Sequence, residues 1–114
     1  MFKYPLPENI EFEVKFAHSL ILKRSDGIIE VRCEDDFTYD VEDIKQNHGC
    51  LKNLMLSEKL LVLNFTERFT SITNNARSYL AEGSHKEFIA AEAFLIHSLP
   101  QRESAPRALH QIAP

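Results

Sequence analysis

The sequence predicts an α/β fold, a mixed sheet with helices packed on it, and three stretches carry the prediction. Leu60 to Phe65 (LLVLNF) is a near-continuous apolar run, which reads as a strand buried on both faces. After the polar stretch Thr66 to Ser71, read as a loop, Ile72, Ala76, Tyr79 and Leu80 fall at helical spacing, with Gly83 as the stop. Phe88 to His97 (FIAAEAFLIH) is a second apolar strand. A helix between two such strands is a right-handed crossover joining parallel neighbours.

The other elements follow in chain order. Residues 1–9 carry Pro5 and Pro7 and read as an extended, poorly ordered arm. Ile10 to Phe16 alternates, with Ile10, Phe12, Val14 and Phe16 on one side and Glu11, Glu13 and Lys15 on the other, as a half-buried strand does. Ala17, His18 and Ser19 disturb the alternation and read as a bulge or a short break. Leu20 to Arg24 and Ile28 to Cys33 flank Ser25-Asp26-Gly27, a turn that tolerates positive φ, and so form an antiparallel hairpin.

A helix should start near Thr38 to Asp40. Asp40, Glu42 and Asp43 put negative charge in its first turn, and Val41, Ile44, His48, Leu51 and Met55 make its apolar stripe. Gly49 inside that helix suggests close packing. Ser84 to Lys86 is a link, and Ser98-Leu99-Pro100 opens a stub of a third helix. The domain is expected to span residues 10–103. Residues 104–114, interrupted by Pro106, read as an irregular tail.

A chain of 114 residues is one domain by default and can bury a core without staples. A formal charge of −4 and a pI near 5.7 argue against a nucleic-acid partner, which needs a basic footprint. No apolar run reaches the roughly 18 residues of a membrane span, and MFKYPLPENI has no apolar core of a secretory signal. A cytoplasmic location is the expectation. Cys33 and Cys50 lack C-x-x-C spacing and read as free thiols. The histidines show no metal-ligand spacing with them, so neither metal nor cofactor is expected.

The order of elements resembles the STAS-domain superfamily, and within it the small SpoIIAA-like (STAS/SEC14-like) single-domain proteins of bacteria. The residues that carry the resemblance are LILKRSDGIIEV, LLVLNF followed by TERFTSITNNAR, and EAFLIHSLPQR, spanning about Leu20 to Arg102. The resemblance implies a mixed sheet, an antiparallel hairpin followed by parallel strands. It also implies a regulatory domain that binds another protein rather than an enzyme. In anti-sigma-factor antagonists of the superfamily, a serine at the start of the helix after the central strand is phosphorylated. Ser71 is the nearest equivalent here, with Thr70 and Thr73 beside it, while the family's flanking Asp and Gly are absent. The superfamily usually closes with an amphipathic helix. Gln101 onward lacks that pattern, so either the domain is trimmed or a neighbouring chain covers the exposed apolar face, and a homodimer is the expectation. The alternative is a small-ligand or lipid-binding module of the SEC14/CRAL-TRIO type.

Ligands of open α/β sheets gather beyond the carboxyl ends of parallel strands. That edge should carry Asn64, Thr66, Glu67, Arg68, Thr70 and Ser71 after one strand, and His97 and Ser98 after the other. A helix N-terminus there could take a phosphate or carboxylate with help from Arg68, or Thr70 or Ser71 could simply cap the helix. His48 reads as a satisfied core histidine. Glu92 should face solvent at a sheet edge or pair with Lys23 or Arg32, and it becomes a functional candidate if buried.

Overall fold

The computed structural model describes residues 4–95 and the backbone of residues 110–112. The strands are β1 (Ile10–Lys15), β2 (Ser19–Arg24), β3 (Ile28–Cys33), β4 (Thr38–Tyr39), β5 (Leu60–Phe65), β6 (Ser71–Ile72), β7 (Ile89–Leu95) and β8 (His110–Ile112). The helices are α1 (Val41–Leu54) and α2 (Asn74–Glu82), and a single 3-10 turn follows at Ser84–Glu87. The main sheet runs in the order β1-β2-β3-β5-β7-β8. Its first three strands are an antiparallel meander, and β3, β5, β7 and β8 run parallel. The mixed α/β architecture is thus as expected.

At Ala17 to Ser19 the strand breaks, as one of the two readings of the sequence has it, and there is no bulge. The break is the reversal between β1 and β2, closed by Phe16 N donating to Ser19 O at 2.8 Å. The irregularity in register lies instead between Ile10 and Phe12. Residues 4–9 lie outside helix and strand. Two of their main-chain carbonyls, those of Tyr4 and Pro5, accept hydrogen bonds from Arg32. Residues 110–112, inside the stretch expected to be irregular, pair with β7 and give its open edge main-chain partners.

The crossovers β3-α1-β5 and β5-α2-β7 step the same way along the sheet. Right-handedness then puts both helices on one face, where they touch each other. Leu51 of α1 joins Ile21, Ile29, Val31, Leu60, Val62, Phe88 and Ile89 in the core of that layer. The single covered face explains why β5 is not buried on both sides. Leu60, Val62 and Asn64 are buried, while Leu61 on the other side is 50% exposed.

Asp40 caps α1 as part of a capping box with Asp43. Gly49 does not mark close packing, because a Cβ built there meets nothing within 4 Å. Gly83 ends α2 at φ 76°, a left-handed conformation that suits glycine.

Candidate functional site

Because β3, β5 and β7 are parallel, their carboxyl ends share one edge of the sheet. At that edge the chain leaving β5 is tied down residue by residue. Thr66 Oγ1 donates to Leu95 O at 2.5 Å and so joins the ends of β5 and β7. Thr70 Oγ1 accepts from Glu67 N at 2.9 Å and donates to Glu34 O at 2.8 Å. Phe69 N donates to Asp35 Oδ1 at 2.8 Å, and Ser71 N donates to Phe37 O at 3.1 Å. The 66–70 turn is thereby fastened to the segment that follows β3. The same turn leaves the Phe69 ring 58% exposed, with the Arg68 guanidinium 5.4 Å from the ring centre.

The three hydroxyls expected at the helix start have different roles. Thr70 is buried inside the turn. Ser71 lies in β6, exposed, with its Oγ 2.8 Å from Thr38 Oγ1. Thr73 is the helix cap, its Oγ1 accepting from Ala76 N at 3.1 Å. Neither Thr70 nor Ser71 caps the helix, contrary to the capping role the sequence suggests for them. The reason is the small parallel ladder β4–β6, which was not visible in the sequence. It pairs Tyr39 with Ile72, and Thr73 N donates to Tyr39 O at 3.0 Å, so the chain stays extended up to Thr73. Thr73 Oγ1 also donates to Asp40 Oδ1 at 2.7 Å and links the caps of α1 and α2. That bond, with the Val41 amide, holds the Asp40 carboxyl below its ordinary value.

Asn64 belongs to a different place. It points under the helices and donates through Nδ2 to Glu92 Oε2 at 2.6 Å. Glu92 is 7% exposed, so the expectation of a solvent-facing edge residue fails. Register explains it: Glu92 lies opposite Val62, a residue of the helix-side core, and β8 makes β7 an interior strand. Its neighbours are Asn64 and His85, whose Nε2 stands 3.9 Å from Oε1, rather than Lys23 or Arg32. His48 from α1 lies beside His85, ring centres 5.2 Å apart and the rings tilted by 34°, with Tyr79 and Phe88 around it.

Burial pushes the Glu92 carboxyl up to about 7, against the hydrogen bond from Asn64, which favours its charged form. Burial also pushes His48 down to about 4, helped by His85, and lowers His85 itself. Near neutral pH the cluster therefore holds neutral imidazoles beside a carboxyl poised to gain or lose a proton. His48 is not the satisfied core histidine its stripe suggested. Its Nδ1 and that of His85 are buried without a hydrogen-bond partner among the described residues. Among the described residues no three such groups stand where they could hold a metal ion.

The expected notch is thus divided. Thr66 and Arg68 belong to the strand-end turn and Asn64 to the buried cluster, while His97 and Ser98 lie outside the described residues. Two features escaped the sequence reading. One is the joining of His48, His85 and Glu92 across three elements. The other is Glu30–Arg32, an ion pair at 2.7 Å with both side chains buried, on the sheet face that the helices leave open. Its one sequence signal was the pair of opposite charges two apart in an otherwise apolar strand.

Together these features define a mixed α/β domain with a fastened strand-end turn and a buried acid–imidazole cluster. Residues 22–105 match the model of a family described as a domain of unknown function, DUF7793, and the chain belongs to that family. No curated protein and no solved structure matches it. The matched span takes in the turn and the whole His48–His85–Glu92 cluster. Among the described residues, no helix is long and apolar enough to cross a membrane.

Proposed function

We propose that this chain is a regulatory domain of the STAS-like kind that works by binding another protein, without catalysis, through the 66–70 turn. The observation that carries the reading is Phe69. Its main chain is fixed by Asp35 and its neighbours by Glu34 and Phe37, yet its ring faces solvent beside Arg68. An exposed aromatic and an arginine on a fastened backbone suit an interface anchor, since little main-chain entropy remains to be lost on binding. The meander followed by helix, strand, helix and strand supports the STAS-like reading.

Ser71 is the exposed hydroxyl for a phosphate-controlled version of this switch. A phosphate there would break its contact with Thr38 and load about two negative charges onto the ladder that supports the turn. The test is a photoreactive residue in place of Phe69, with the same residue at the exposed Gln46 of α1 as control, in the protein's native cell. One reproducible protein adduct from position 69, absent from position 46 and lost with Arg68→Ala, is the expected result. No adduct at position 69, or the same adducts from both positions, would overturn it.

A further inference from the structure

The main sheet ends on one side at β1, which pairs with β2 alone. The turn between the two strands decides what the outer edge of β1 presents. Phe16 N donates to Ser19 O, so these two residues are a hydrogen-bonded pair, and the alternation of an antiparallel ladder makes Val14–Ile21 and Phe12–Lys23 the next ones. The main-chain groups of Glu13 and Lys15 therefore point outward, away from β2. Their side chains lie on the open face of the sheet, opposite Leu22 and Leu20, which in turn stand opposite Glu30 and Arg32. Both are exposed, and neither has an ion-pair partner among the described residues. On the helix-covered face of the same strand, Phe12 is 39% exposed, Val14 stands opposite the core residue Ile21, and Phe16 packs against the core. An edge with unpaired main chain and an uncovered aromatic ring is a place where a further strand can add.

We propose that β1 is a dimer edge: the β1 strands of two copies of this chain pair antiparallel about a twofold axis at Val14, joining their sheets into one. Charge and register identify the occupant. With the axis at Val14, Glu13 of each copy stands opposite Lys15 of the other. Each such pair exchanges both outward main-chain hydrogen bonds and sets a carboxylate against an ammonium on the open face. On the other face Val14 meets Val14 of the second copy, and Phe12 meets its Phe16, so the exposed ring gains an apolar neighbour.

The neighbouring registers lack this match. An axis at Glu13 sets that carboxylate against itself, an axis at Phe12 sets Glu11 against Glu13, and an axis at Lys15 sets like ammonium groups together. Glu11 also lies at the register irregularity of β1 and already faces Lys23 at 3.7 Å. Pairing about Val14 engages residues 12–16 and leaves that irregularity outside. A strand of another protein would have to carry the same Glu-x-Lys spacing, which a second copy supplies by symmetry.

The test is sedimentation equilibrium of the full chain from micromolar to millimolar concentration. It compares the parent, Glu13→Lys, Lys15→Glu and an equimolar mixture of the two variants. The parent should dimerise. Each variant alone sets like charges opposite each other at both pairs and should associate more weakly by about tenfold or more. In the mixture, a copy with lysine at both positions meets one with glutamate at both, and one-to-one association should return to the parent's level. Recovery on mixing also shows that neither change has cost the fold. A parent that stays monomeric to millimolar concentration would overturn the proposal. So would variants that dimerise as the parent does, or a mixture that associates no better than its components.

Discussion

Replacing Glu92 with Gln tests the buried cluster most directly. The unfolded chain ionises this carboxyl near its ordinary value of 4.5, and the folded chain keeps the proton to about 7. Between those values the folded state holds a proton that the unfolded state has lost, so rising pH removes stability. At about 1.4 kcal/mol per tenfold, a shift from 4.5 to about 7 corresponds to about 3 kcal/mol. That stabilisation is complete below pH 4.5, declines across the window and is gone above about 7. Glutamine cannot ionise, and its carbonyl can still accept from Asn64 Nδ2. The gap in stability between Glu92→Gln and the parent should therefore widen in favour of the variant as pH rises. Urea unfolding at fixed ionic strength, in steps from below pH 4.5 to about pH 8, measures it. A gap that stays flat within about 0.5 kcal/mol across that range would refute the reasoning, because an unshifted carboxyl gives no linkage in this window.

His48→Phe should show the opposite sign. The unfolded chain protonates this imidazole near 6.5 and the folded chain only near 4, so falling pH costs the parent stability across that window, and the variant is spared the loss. The same urea series reads this difference. Thr73→Ala should cost about 1 kcal/mol as a lost helix cap, whereas Ser71→Ala should stay within about 0.5 kcal/mol, and thermal unfolding of the two distinguishes capping residue from neighbour. Gly49→Ala should stabilise by up to about 1 kcal/mol, since it removes a helix-interior glycine where the new Cβ meets nothing. A loss of stability in that variant would point to a close approach at α1 after all.

The elements were legible in the sequence where their signal is local. LLVLNF, the Ser25-Asp26-Gly27 turn and the acidic first turn of α1 each state their conformation within a few residues. What could not be read was set by register and by which face the helices cover. The two-residue strands β4 and β6 have no periodicity to detect, yet their pairing moves the start of α2 to Thr73. Glu92 sits in a run whose alternation fits either face, and only its position opposite Val62 places it beneath the helices. His48 showed its place on the apolar stripe of α1. Nothing near it in sequence announces His85, which a 3-10 turn brings to it across the layer. The strand-end edge was readable as a location, from the parallel order alone, but not as a set of contacts.

The two faces of the sheet hold polar networks of opposite character. On the open face, each charge of Glu30–Arg32 meets a counter-charge or a main-chain carbonyl, so removing one partner leaves a buried ion uncompensated. Such a network fixes geometry and gives little room for a second state. On the helix face, the Asn64–Glu92 bond is short, while His48 and His85 each carry a buried ring nitrogen without a partner among the described residues. A partly satisfied network in a low-dielectric site destabilises the arrangement that holds it and couples that arrangement to protonation. Asn64 stands two residues before Thr66, which anchors the turn that presents Phe69. The buried cluster and the turn are thus joined through the end of β5, while the Glu30–Arg32 pair lies on the other face of the sheet.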